Sequence, residues 1–149
     1  MAIKSEKIGD VYREVEQMLG QVPEWLKLMP ETAAVGFWTT MRDFHLGETA
    51  IPNKYKELIG IAVAGATRCR YCALFHTEAA RLFGATDMEI REASMMGAHT
   101  MNASTFVNAM HIDYDQFKKE TLSIVSHVKN QMAQQGKASQ QQKGQQARA

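Results

Sequence analysis

Residues 53–72 read NKYKELIGIAVAGATRCRYC. The fold turns on whether the apolar run inside this stretch, LIGIAVAGA at 58–66, is a strand or a helix, since either suits a short buried segment. A strand feeding straight into Cys69-x-x-Cys72 would suggest a thioredoxin-like sheet, in which a later strand sets a cis-proline beside the cysteines. No proline follows Pro52, and the rest of the chain lacks the alternating Val, Ile, Thr and Tyr runs of further strands. Lys54, Tyr55, Lys56 and Glu57 lead into the run as helical turns, with Pro52 at their start. The stretch therefore predicts a helix over 53–66 and an all-α chain.

The flanking segments agree. Upstream, Ile8, Val11, Val15, Met18 and Leu19 recur at three- and four-residue spacing, predicting an amphipathic helix over about 6–19 that ends near Gly20. A short turn of helix follows Pro23. A third helix spans about 31–44 with Phe37, Trp38, Met41 and Phe44 inward, and Trp25, Phe37 and Trp38 are assigned to the core. His45–Ile51 (HLGETAI) reads as a loop. Downstream, a helix begins near the cysteines and runs through ALFHTEAARLF to Gly84, a residue suited to a helix C-terminus. Thr86 and Glu89 form a capping box for a long helix to about His111, and another spans Tyr114 to about Met132. The expectation is a single helical domain of about six to seven helices over residues 1–132. The Gln-rich segment 133–149, AQQGKASQQQKGQQARA, is expected to be a flexible C-terminal tail, disordered or at most a frayed helical extension.

Composition narrows the function. The 149 residues are 45% apolar and 22% charged, a globular balance, and the net charge of +1 leaves no footprint for nucleic acid. MAIKSEKIGD carries charges where a leader's apolar core would begin, so we expect no secretory leader and a cytoplasmic protein. The stretch Ala93–Ile112 is free of Lys, Arg, Asp and Glu, but its Ser, Thr, Asn and His residues make it too polar to span a membrane. Its apolar and small residues instead predict burial on several sides, for which we favour a subunit interface; its methionines would also suit an apolar pocket.

The chemistry centres on two cysteines, the pair Cys69 and Cys72. In a reducing compartment such a pair is more often redox-active or metal-binding than structural. On a helix, Cys69, Cys72 and His76 share one face, and an imidazole one turn from a thiol can take its proton. The helix N-terminus, Arg68 and Arg70 all favour a thiolate. Glu57 lies twelve residues before Cys69, and in a helical hairpin its carboxylate would approach Cys72 and His76. Three bland readings stand beside this one. The cysteines could be small buried hydrophobes. They could hold zinc with His76 and with Glu57 or a distant histidine. Glu57, between Lys54 and Lys56, could be an ordinary solvated residue.

Glu57-x11-Cys69-x-x-Cys72-x3-His76, followed by the Gly84-Ala85-Thr86 break and an acidic helix start, resembles the alkyl hydroperoxidase D branch of the carboxymuconolactone decarboxylase-like superfamily. The resemblance covers about residues 50–112. It implies the all-α fold of that family and assembly into trimers or hexamers. It implies reduction of a small peroxide by the cysteine pair, and re-reduction by a dithiol donor such as a lipoylated or thioredoxin-like protein. By the same resemblance Cys72 is the peroxidatic thiol, Cys69 the resolving one, and Glu57 with His76 the proton relay. No cofactor and no metal ion are implied. The generic rule for such pairs would choose Cys69 as nucleophile; the resemblance and the i,i+4 placement of His76 choose Cys72. The family's histidine just before the second cysteine is Tyr71 here. A phenol holds its proton at neutral pH where an imidazole trades it, so Tyr71 can donate a hydrogen bond to a water or thiolate but predicts slower peroxide turnover. Two alternatives remain: a lactone decarboxylase-like enzyme without thiol chemistry, and a non-catalytic redox sensor or assembly module.

Overall fold

The computed structural model describes residues 7–146, with side chains to residue 135. Among these residues there is no strand. The elements are α1 (Ile8–Leu19), α2 (Glu24–Lys27), α3 (Glu31–Thr40) continuing into one π-helical turn (Met41–His45), α4 (Asn53–Ala66), α5 (Arg70–Leu82), α6 (Asp87–Ala109) and α7 (Tyr114–Gln146). The decisive stretch is thus helical over the residues its sequence predicts. The chain divides into two compact units, Met1–Met101 and Asn102–Ala149, with the division inside α6.

The first unit has two apolar clusters. Val11 and Val15 of α1, Leu26 of α2, and Ala34 and Trp38 of α3 form one of them. Burying side chains of this size stabilises by roughly 1.5–3 kcal/mol each. The expected core is corrected at three aromatics. Trp25 is 49% exposed and Phe37 37%, and their rings meet edge to face at the surface, with centroids 5.3 Å apart. Helical neighbours point about 100° apart, so Leu26 and Trp38 enter the core and the residues before them do not. Phe44 is also exposed, at 61%. Three-residue steps drift about 60° on a helix, so Phe44 has left the stripe that starts at Trp38.

The second cluster is formed by Ile61 of α4, Ala80 of α5 and Ala85 of the link that follows, with Leu58 of α4 and Ile90 and Ala93 of α6 packed against them. Helices α4 and α5 form a hairpin, the most extensive pairing of elements in the chain. Helix α6 lies close to α4, because a β-carbon at Gly97 would come within 2.8 Å of the Ala62 carbonyl oxygen. Thr86 and Glu89 make the expected capping box: Thr86 N–H donates to Glu89 Oε2 (2.7 Å) and Glu89 N–H to Thr86 Oγ1 (3.2 Å). Gly84, at φ 80°, ends α5 in the left-handed conformation that glycine adopts without penalty.

In the second unit, Asp113 caps α7 by accepting from Gln116 N–H (2.8 Å). The backbone of α7 stays helical to Gln146, past the expected end near Met132. Its Gln, Ala and Lys residues are good helix formers, and each glycine there costs only about 1 kcal/mol. Residues 147–149 of the expected tail lie outside the described residues. No residue of α6 is buried by the described residues, so they do not supply the burial read from its uncharged stretch. No helix among the described residues is long and apolar enough to cross a membrane.

Candidate active site

The turn between α4 and α5 sets the cysteines. α4 ends at Ala66, and Arg68 follows with φ 58°, a left-handed position where glycine is usual. Cys69 N–H then reaches back to the Ala64 carbonyl (2.9 Å), closing the turn. Cys69 is therefore the cap of α5 rather than part of its first turn, and Cys72 N–H donates to its sulfur at 3.2 Å. The two cysteines are joined as a disulfide with Cα atoms 5.3 Å apart. Cys72 lies on the exposed side of the pair and Cys69 is half-buried. The pair thus sits at a helix N-terminus, whose dipole favours an anion by about 0.3–1 kcal/mol.

Below the pair, Glu57 is completely buried. His76 Nδ1 donates to its Oε2 at 2.7 Å and His45 Nε2 to its Oε1 at 2.8 Å. A carboxylate only accepts, so each of these ring nitrogens carries the hydrogen. The lone pairs then lie on the opposite nitrogens, His76 Nε2 and His45 Nδ1. The two rings stand 5.4 Å apart, and Phe75 packs edge-on against both. The solvated reading of Glu57 is overturned, because its flanking lysines turn aside. Lys54 pairs with Glu89 (2.7 Å). Lys56 donates to the carbonyls of Phe44 (2.7 Å) and Gly47 (2.6 Å) and to Asn53 Oδ1 (3.1 Å).

His45 is the site residue that sequence reading missed. Its segment reads as a loop, yet the helix of α3 continues through the π turn and delivers the ring to Glu57. The available signal was its spacing: seven residues after Trp38, His45 remains on the inward stripe that Phe44 leaves. Lys56 fixes this turn by collecting the carbonyls at its end. Gly60, one turn after Glu57, makes room for His76, since a β-carbon there would sit 2.4 Å from His76 Nδ1.

Glu57 and His76 are therefore brought together, with Cys72 one helical turn before His76. Tyr71 is not part of this cluster. It is 72% exposed, its hydroxyl accepts from Arg70 Nη2 (3.1 Å), and the Arg70 guanidinium lies 4.9 Å from its ring centroid. A disulfide whose Cys72 lies one helical turn before His76, and a buried carboxylate holding two imidazoles, are thus the chemical content of the site.

The model of the carboxymuconolactone decarboxylase family matches residues 32–112, more than half of the chain. The chain belongs to this family. The matched region runs from α3 to the end of α6 and contains every group of the site. Among relatives of the family-like region, an alkyl hydroperoxide reductase of Mycobacterium tuberculosis is 32% identical over 83 residues, which are 54% of this chain and 24% of that protein. An uncharacterized protein 4 in the cox locus of Paracoccus denitrificans is 35% identical over 60 residues, 40% of this chain and 54% of that one. The chain thus spans about a quarter and about half of the length of these two relatives. Among solved structures, the alkylhydroperoxidase AhpD core from Rhodospirillum rubrum is similar at a TM-score of 0.63 and 27% identity, covering 73% of this chain and 83% of that one. The all-α fold of the family is thereby shared.

Proposed function

We propose that the protein is a thiol-dependent peroxidase or disulfide oxidoreductase acting on hydrogen peroxide or alkyl hydroperoxides. The observation that carries this reading is the buried Glu57 hydrogen-bonded to His76, one turn from a cysteine of a disulfide-forming pair. In the reduced protein, the Cys72 thiol gives its proton to His76, whose orientation Glu57 fixes. The thiolate attacks one peroxide oxygen, the O–O bond breaks, and alcohol or water leaves with the proton. Cys72 is then a sulfenic acid. Cys69 attacks its sulfur, water leaves, and the Cys69–Cys72 disulfide forms. An external dithiol, on a lipoylated or thioredoxin-like protein, supplies two electrons and becomes a disulfide in turn. Tyr71, exposed and held by Arg70, carries no proton in this scheme, though its hydroxyl keeps a hydrogen to donate to a nearby water or thiolate.

A pair that must be re-reduced in every cycle suits a reducing compartment, so we place the protein in the cytoplasm. The exposed methionines of α6 support assembly with further copies of the chain, as a trimer or hexamer. The working unit of this reading is the helical domain of residues 1–132, with 133–149 as an appendage.

The test is an anaerobic titration of the reduced protein with hydrogen peroxide and with a bulkier alkyl hydroperoxide, reading free thiols and intact mass. Wild type should lose two thiols and two hydrogens per chain with either oxidant. Cys72→Ser should consume no peroxide, and Cys69→Ser should turn over once and trap Cys72 oxidised. His76→Ala should slow the first step by roughly 10²-fold or more. Full peroxide consumption by Cys72→Ser would overturn the assignment.

A further inference from the structure

We propose that His45, Glu57 and His76 form a binding site for a divalent transition-metal ion of the zinc type, separate from the cysteine pair. Two imidazoles and one carboxylate are a donor set that zinc accepts, and they leave positions open for water. The three side chains come from three elements, the π turn, α4 and α5, and their ligand atoms all lie within 4.8 Å of one another. Two ligand atoms held at about 2.1 Å from one ion stand roughly 3.4–4.2 Å apart, so on binding the 2.7 and 2.8 Å hydrogen bonds to Glu57 open while the widest separation in the set closes by less than roughly 1.5 Å. The histidines have the freedom for that closure, with side chains 21% and 20% exposed, whereas Glu57 is fixed at 0%.

Charge and support point the same way. A fully buried carboxylate is stable only against cations or strong donors, and both partners of Glu57 are imidazoles, a side chain able to ligate a metal. The outer faces of the half-buried rings give an ion its route in. The surroundings hold the three side chains in place: Lys56 clamps the carbonyls beside His45, and Gly60 leaves the space that the His76 ring fills. A zinc site on the thiols would need them reduced. The triad needs no thiol, so it stands complete while Cys69 and Cys72 are joined.

The site has a consequence that rests on the peroxidase reading. An ion on His76 Nδ1 and His45 Nε2 requires each ring's hydrogen to move to its other nitrogen, and His76 Nε2, once protonated, can no longer take the proton of Cys72. Loading with metal should therefore slow the reaction of the reduced protein with peroxide, and a chelator should restore it.

The test uses tag-free, metal-stripped full-length protein in its disulfide form. Cobalt(II) is titrated in, its visible absorption followed, the ion displaced with zinc, and the stoichiometry read by native mass spectrometry. One ion per chain is expected. Glu57→Gln and His45→Gln should each weaken binding at least about tenfold. The Cys69→Ser/Cys72→Ser double variant should bind as wild type, without thiolate-to-cobalt absorption in the near ultraviolet. Circular dichroism checks the folding of each variant, and His45→Gln, at a half-buried position, keeps the test open if Glu57→Gln does not fold. Absence of binding at micromolar metal, binding unchanged in a folded His45→Gln, or binding lost with the cysteines would overturn the site. Binding in the disulfide form with unchanged peroxide rates on loading would uphold the site and count against the proton relay instead.

Discussion

At Gly60 the absent side chain is what the site uses. In a helix interior, replacing glycine by alanine gains about 0.5–1 kcal/mol. Here the new carbon would sit 2.4 Å from His76 Nδ1, so the ring must leave its bond to Glu57. Gly60→Ala should therefore invert the usual sign, destabilising by about 1–3 kcal/mol as overpacking does. It should also slow peroxide reduction toward the His76→Ala level. Gly36→Ala in α3, with open space around it, should stabilise instead. Urea denaturation of the two variants beside wild type checks both signs. Residue spacing alone singled out Cys69, Cys72 and His76, because side chains three and four residues apart meet on a helix. It could not decide Glu57, since flanking lysines look alike whether they extend into water or, as Lys54 and Lys56 do, fold onto Glu89 and the π-turn carbonyls.

Among the elements, the helices from Asn53 onward are marked in the sequence by local chemistry that reappears in three dimensions: Pro52 ahead of α4, Gly84 after α5, Thr86 and Glu89 opening α6. The π turn did not announce itself, because adding one residue to a helical turn leaves no compositional trace, and with it went His45. The start of α6 also carries a pH signature. The Lys54 ammonium, the Thr86 N–H and the Thr86 hydroxyl hold the Glu89 carboxyl down from 4.5 to about 2. A depressed carboxylate stabilises the fold in full above its ordinary range, and that contribution is lost as the pH falls through the depressed value. Glu89→Gln should lower the urea midpoint at neutral pH, and its difference from wild type should shrink between pH 4.5 and about 2. A constant difference across that window would show that Glu89 acts through the shape of the capping box alone.

For the molecule as a whole, both of the last two helices expose large apolar side chains. Met95 and Met96 of α6 are 66% and 59% exposed, and Ile124 and Val128, one turn apart on α7, are 62% and 48% exposed. Large apolar side chains exposed one turn apart on a helix, as Ile124 and Val128 are, mark a surface that associates. Light scattering coupled to size exclusion should give three or six times the chain mass, and the Ile124→Glu/Val128→Glu variant should shift it toward one. A wild-type protein that runs as a monomer at micromolar concentration would remove the assembly from the functional reading. Periodicity could tell that the Ala93–Ile112 stretch wants cover on several sides; it carries no record of what provides it.

The hydrogen bonds to Glu57 span 12 residues back to His45 and 19 forward to His76, and both cysteines fall between. Everything the chemistry touches is thus written in one uninterrupted passage of the chain. A site assembled from distant segments can be inherited only with its whole scaffold. This one can be copied by a single duplication or fusion, spliced into a longer protein, and arrive with its acid, its imidazoles and its thiols already in order.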